Sequence, residues 1–143
     1  MILYIIYSHV VLFQEIKASD DQIPVEWYQP LGYQAIWHPA QKKGYSGVGV
    51  LFKANAIGFQ IGSGMEELDH EGRFIRVDFE HFSVMSLYLP SGTSGEERQA
   101  FKMETLVKFT NWIEETRKNF PKLVLGGDFN ICREAIDIHD PEF

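Results

Sequence analysis

Four places in this 143-residue chain set polar side chains at the ends of apolar runs. Gln14-Glu15 follows residues 10–13, and Glu71-Gly72-Arg73 precedes residues 74–79. Tyr88, with Ser91-Gly92 just beyond, closes residues 83–89. Asp128 and Asn130 follow residues 123–125. Binding and catalytic groups concentrate on strand ends and the loops beyond them. Glu15 and Asp128 are hard oxygen ligands. Mg²⁺ takes one or two such carboxylates and keeps several waters. An ion held there would polarise a phosphoryl oxygen and steady a leaving oxygen. Asn130 would orient the nucleophilic water or a phosphate oxygen. Tyr88 and Arg73 would donate as charge builds on the phosphate. Together the set suits phosphodiester hydrolysis. Each residue also has an ordinary role, and singly that role is the commoner. Asp and Asn bond their own backbone in turns, and an Arg beside an acid makes a surface pair. A Tyr in an alternating strand packs half-buried.

The elements that must position these groups follow from the pattern of apolar residues. The central stretch, residues 122–130, reads KLVLGGDFN. It is a strand running into two glycines, where the chain can turn and be approached closely. If the backbone stays extended across Asp128 and Asn130, both side chains point the same way. Upstream, residues 10–13 read as a strand buried on both faces. Residues 20–22 read as a short acidic helical turn, and 33–37 as a strand. Lys42, Lys43 and Gly44 form a polar turn before a strand at 48–52, and 57–61 is a short strand. Residues 62–69 read as a polar loop. Residues 74–79 and 83–89 alternate as an antiparallel hairpin. Ser94-Gly95-Glu96-Glu97 opens a long helix with an apolar stripe at Met103, Leu106, Phe109 or Thr110, Ile113 and Phe120, and Pro121 stops it. One helical turn is expected over 134–137. The fold class is therefore α/β, with a mixed, mostly antiparallel sheet and a long helix packed on one face. The opposite apolar face has no obvious partner within the chain.

Composition narrows the classes. Apolar residues make up 45% and aromatics 14%, which places the chain among folded globular domains. The net charge is −7. That balance counts against tight non-specific DNA binding but leaves room for a local basic patch or a bridging cation. A single cysteine, Cys132, excludes an internal disulfide and fits a reducing compartment. A buried structural thiol is its expected role. The five histidines, at 9, 38, 70, 81 and 139, have no metal-ligand spacing. No Walker-type loop occurs. The apolar start, ILYIIYSHVVLF, is too short to span a bilayer and lacks a signal peptide's basic leader, so the chain reads as cytoplasmic and off the membrane.

Taken in order, FQEIKASDDQIP, KKGYSGVGVLFK, EGRFIRVDF, SLYLPSGTSGEERQAFK and VLGGDFNICREAIDIHDP resemble the exonuclease III and AP endonuclease family. This is the DNA-repair branch of the endonuclease/exonuclease/phosphatase superfamily. The resemblance covers residues 10–141. It implies a four-layered α/β sandwich, of which this chain would form part. It implies Glu15 as a metal ligand, although Phe13 stands where leucine is usual. It implies Tyr88 as the active-site tyrosine, and Asp128 and Asn130 as the pair that binds metal, activates the nucleophile and holds the phosphate. Tyr45 and Arg73 would flank the DNA-contacting face. The implied cofactor is Mg²⁺, with Mn²⁺ as a substitute, and the implied partner is double-stranded DNA with abasic sites or 3′ ends. The family's opening WNVNG-like segment has no counterpart here, and its later aspartate and terminal Asp-His pair lie beyond this length. His139 cannot be that histidine. The expectation is thus one incomplete domain over 1–143, without the N-terminal strand and C-terminal half, weakly active or inactive alone. An exposed sheet face would favour self-association. Two other functions stay open: a non-catalytic remnant or interaction module, and a superfamily phosphoesterase acting on lipid phosphates.

Overall fold

The computed structural model describes residues 8–137. Seven strands form two sheets. In the first, β1 (Val10–Gln14), β2 (Gln34–His38) and β3 (Val48–Phe52) run antiparallel in the order β1-β3-β2. In the second, β4 (Gly58–Ile61), β5 (Phe74–Asp78), β6 (Ser83–Tyr88) and β7 (Leu123–Asp128) lie in sequence order. The β4-β5 and β5-β6 pairs are antiparallel, and the β6-β7 pair is parallel. A parallel pair cannot be joined by a tight turn. The crossover here is the 24-residue helix Glu96–Asn119. The short helix Glu66–His70 precedes it and is α1; the long one is α2.

Period-two alternation assigns the faces. Val84 and Tyr88 of β6 join Ile75, Val77 and Phe79 against Val48, Val50 and Phe52 of the other sheet. Met85, Leu87 and Leu89 point the opposite way, with Phe74, to meet Phe109, Leu106, Trp112 and Ile113 of α2. The outer face of the first sheet, around Leu51, is covered by Tyr28 and Tyr33, with Ile23 and Leu31 beside them. These come from the segment of short 3-10 turns Asp20–Gln22, Val25–Trp27 and Gln29–Leu31 and the residues flanking them. The layers run 3-10 segment, sheet, sheet, helix. The strands, the hairpin, the long helix, the turn at Asp20–Gln22 and the turn at Ala135–Asp137 all match expectation.

Five local expectations are corrected. The sheet face opposite α2 is covered by the chain's own first sheet, so the basis for self-association through it is gone. The two sheets share one core because β3 is fully buried and offers apolar side chains on both faces. Strand β1, expected to be buried on both faces, is half-buried throughout because it is an edge strand. The polar loop at 62–69 contains the start of α1, whose Leu68 is buried beneath α2. Met103 is 54% exposed. Residues 105, 109, 112, 113 and 116 carry the inner stripe, and Thr105 and Thr116 occupy places that the apolar count passed over. Finally, Cys132 is exposed.

Candidate active site

Three strand ends meet at one edge of the sandwich. Beyond β1 the backbone enters the left-handed region at Glu15 (φ +52°) and again at Lys17 (φ +49°). Two hydrogen bonds lock this segment to the GYSG turn: Ile16 N donates to Gly47 O at 3.2 Å, and Lys17 N to Ser46 O at 2.9 Å. Between the sheets, Gln14 Nε2 donates to Ser86 Oγ, and Ser86 Oγ donates to Phe13 O, each at 3.0 Å. This clip sets the height of β1 against β6. It brings the Glu15 carboxylate to the Tyr88 hydroxyl, which donates to it.

Tyr88 and Asp128 are register partners in the parallel β6-β7 pair. Asp128 O accepts from Leu89 N at 2.9 Å. Asn130 does not continue the extended backbone that would align it with Asp128. It turns instead into the left-handed region (φ +49°). Its backbone N donates to Asp128 Oδ1 at 2.8 Å, and its side-chain Nδ2 donates to Leu89 O at 2.8 Å. The local Asp-Asn turn and the candidate pair are therefore the same structure, since an Asx bond closes the turn that places the amide. The amide oxygen is the end not used in the Leu89 bond.

Arg73 lies beneath Tyr88. It is only 1% exposed. Its NH1 donates to Tyr88 O at 2.7 Å, and its guanidinium sits 4.7 Å from the Tyr88 ring centre. Its Nε pairs with Glu71 at 2.7 Å. Tyr45 lies on the other side of this cation. Its hydroxyl accepts from Arg73 NH2 at 3.4 Å and from Arg98 NH2 at 3.2 Å. Arg98 also grips Glu71, at 2.8 and 3.2 Å. An open cavity of about 680 Å³ lies beside this cluster, lined by Gln41, Lys42, Tyr45, His70, Glu71, Ser94 and Arg98.

The electrostatics separate the roles. Burial, then the bond to Glu15, pushes the Tyr88 phenol up to about 12. The hydroxyl thus keeps its proton at neutral pH and acts as a donor. Glu15 is held below the ordinary carboxylate value, first by the Tyr88 bond and then by Lys17, whose ammonium is 3.1 Å away. For Glu71, burial alone would raise the value. The Arg98 bond and the Arg73 charge overcome it and leave the carboxyl lowered. A carboxyl lowered on folding adds stability above its unfolded value, and that stability is lost as pH falls through its folded value. We therefore expect the urea midpoint to drop as pH falls below about 4. Glu71→Gln should flatten much of that slope, and an unchanged slope would remove Glu71 from the account.

All six residues expected at the site are brought together. Glu15, Tyr88, Asp128 and Asn130 converge, and Tyr45 forms the adjoining flank. Arg73, expected to donate to the phosphate, is corrected: it is buried beneath Tyr88 and bonded to Glu71, Tyr88 O and Tyr45. His139 lies outside the described residues. Sequence reasoning set Glu71 beside Arg73 but as a surface pair, whereas the pair is buried on the Arg73 side. It missed Lys17 and Arg98 as partners. Arg98 had no signal, since 27 residues separate it from Glu71. Among the described residues no three His, Cys, Asp or Glu groups converge to cage a metal. What is present is two carboxylates facing solvent at strand ends, with Glu15 47% exposed. That donor set fits a hard ion that keeps its waters.

Residues 3–143 match the endonuclease/exonuclease/phosphatase family. The chain is 35% identical over 135 residues to an exodeoxyribonuclease of Bacillus subtilis, covering 94% of this chain and 52% of the relative. It is 30% identical to a DNA-(apurinic or apyrimidinic site) endonuclease of Dictyostelium discoideum, covering 93% and 37%. A solved AP endonuclease from Archaeoglobus fulgidus superposes with a TM-score of 0.84 at 25% identity, covering 98% of this chain and 54% of that one. The chain spans about half the length of such relatives, or less. Among the described residues, no helix is long and apolar enough to cross a membrane.

Proposed function

The chain belongs to the endonuclease/exonuclease/phosphatase family, and on that premise we propose that it forms part of a DNA-repair phosphodiesterase of the exodeoxyribonuclease and AP endonuclease type. The observation that carries this reading is the convergence of Glu15, Tyr88, Asp128 and Asn130 from three strand ends of two sheets. Glu15 and Asp128 would hold a divalent ion, Mg²⁺ or in its place Mn²⁺. When bound, such an ion supplies charge to a phosphoryl oxygen and to the leaving oxygen. Asp128 would also orient the attacking water, and the Asn130 amide would hold a phosphate oxygen. Tyr88 would donate its hydrogen to the phosphate, which competes for it with Glu15. Buried Arg73 keeps Tyr88 in place, and Tyr45 contacts the neighbouring backbone.

The substrate on this reading is duplex DNA with an abasic site or a 3′ end. The chain's net charge of −7 does not oppose this locally. Exposed Lys17 and Lys42 lie on this edge, where phosphate contacts need them. The single cysteine supports a reducing, cytoplasmic setting. Residues 1–143 would form one incomplete domain with low turnover by itself. Catalytic groups that act as a unit fail together when some are missing.

One observation favours the second reading, a non-catalytic module. Lys17 already sits where a cation on Glu15 would compete with it. Titration of Mg²⁺ into the labelled chain, followed by nuclear magnetic resonance, separates the two. The enzyme reading expects shifts around Glu15, Asp128 and Asn130, weakened at least about tenfold in affinity by Asp128→Ala. No shift there would sink it and favour the module. Cleavage of a lipid phosphate but not of an abasic duplex would point to another substrate class.

A further inference from the structure

Arg98 sits at the start of α2, 27 residues from Glu71 and 53 from Tyr45, yet it makes three contacts with these two. One guanidinium grips both oxygens of Glu71 and also reaches the Tyr45 hydroxyl. Glu71 in turn holds the Nε of Arg73, whose remaining nitrogens reach Tyr88 O and the same Tyr45 hydroxyl. The phenol oxygen of Tyr45 thus accepts from two cations. A phenol has two acceptor sites and one hydrogen. With both acceptor sites taken, its hydrogen can only point away from both guanidiniums. Tyr45 itself lines the open cavity, with Gln41, Lys42, His70 and Ser94.

We propose that Arg98 is a positioning residue that fixes the Tyr45 hydroxyl as an outward donor toward a backbone phosphate oxygen, and that through Glu71 it holds Arg73 under Tyr88. This deepens the nuclease reading above and rests on it. The first turn of α2 then sets the geometry of a DNA contact without touching DNA through Arg98 itself. Lysine cannot reproduce the device, because a single ammonium lacks the planar fork that spans Glu71 and Tyr45 together.

The test has two arms. In the first, the chain is labelled at tyrosine, arginine and leucine side chains and studied without DNA. Arg98→Ala is expected to shift the Tyr45 ring signals and the Arg73 Nε–H signal, while the Leu123 and Leu125 methyls under α2 stay in place. Arg98→Lys should recover the Tyr45 signals only in part. Unmoved Tyr45 signals, or movement of the methyls to the same extent, would overturn the proposal whether or not DNA binds. In the second arm, fluorescence anisotropy follows binding of a labelled duplex carrying a tetrahydrofuran abasic analogue. Arg98→Ala and Tyr45→Phe should each weaken binding roughly tenfold. The two losses should be clearly less than additive in the double variant, since Arg98 acts in part through Tyr45. Additive losses would make Arg98 an independent contact and overturn the proposal. A chain that binds no duplex at all would count against the nuclease reading, and the first arm would still decide what Arg98 does.

Discussion

Arg73→Ala is expected to destabilise the fold by about 3–5 kcal/mol, the range for breaking a buried ion pair by removing one partner. The side chain is 1% exposed and makes polar contacts with three residues. Its loss leaves Tyr88 O without the donor at 2.7 Å, and an unmet buried acceptor costs about 1–3 kcal/mol by itself. It also removes a cation from beneath the Tyr88 ring and opens a cavity between β5 and β6. Glu71 keeps Arg98, which limits the damage on that side. Urea unfolding read by tryptophan fluorescence measures the change. Arg73→Lys should recover little, because one ammonium cannot reach Glu71, Tyr88 O and Tyr45 together. A loss below about 1 kcal/mol for Arg73→Ala would mean the pair is a surface contact in solution. Arg73 would then have no part in holding Tyr88.

Gly72→Ala is expected to cost about 2–5 kcal/mol, combining left-handed strain with forced separation of packed backbone. Gly72 has φ +62°. An added Cβ would collide with the carbonyl oxygen of His38 and lie 2.7 Å from Pro39 C and 2.8 Å from Ala40 N. All three are backbone atoms, so no rotamer change relieves the clash. The contact seats the Glu71-Gly72-Arg73 turn on the end of β2, where Gln41 N also bonds His70 O at 2.8 Å. Gly44→Ala is the control. Gly44 has φ +69° but nothing within 4 Å of a new Cβ, so only the conformational cost of about 1 kcal/mol applies. Equal losses at the two positions would show that strain alone decides and that the β2 contact is not tight. The larger loss at Gly72, with the Tyr45 and Tyr88 ring signals displaced, would tie this turn to the site.

The element boundaries and the outer edge of the site were legible because their signals are local. Alternation at 74–78 and 83–88 marked a hairpin, and Pro121 marked a helix end. The residue types at strand tips marked Glu15, Tyr88, Asp128 and Asn130. Errors arose where the deciding contact was distant. Met103 has the right chemistry for the helix stripe but the wrong phase, since the sheet meets α2 along Thr105, Phe109 and Thr116. Cys132 is exposed, which its residue type alone does not carry. The turn at Asn130 is closed locally by Asp128, but its amide is seated on Leu89 O, 41 residues earlier.

By itself, then, the sequence determined the α/β class, the order of strands and helices, and the chemical kinds gathered at strand ends. These depend on periodicity and turn chemistry within a few residues. Only the tertiary structure decided that the first three strands form a second sheet and cover the face opposite α2. It alone placed Glu15 against Tyr88, 73 residues away, and drew Arg98 across to Glu71 and Tyr45. The physical reason is that side-chain pairing between distant segments depends on strand register and sheet stacking. Those are set by the sum of many weak apolar contacts, and no short stretch of residues carries them.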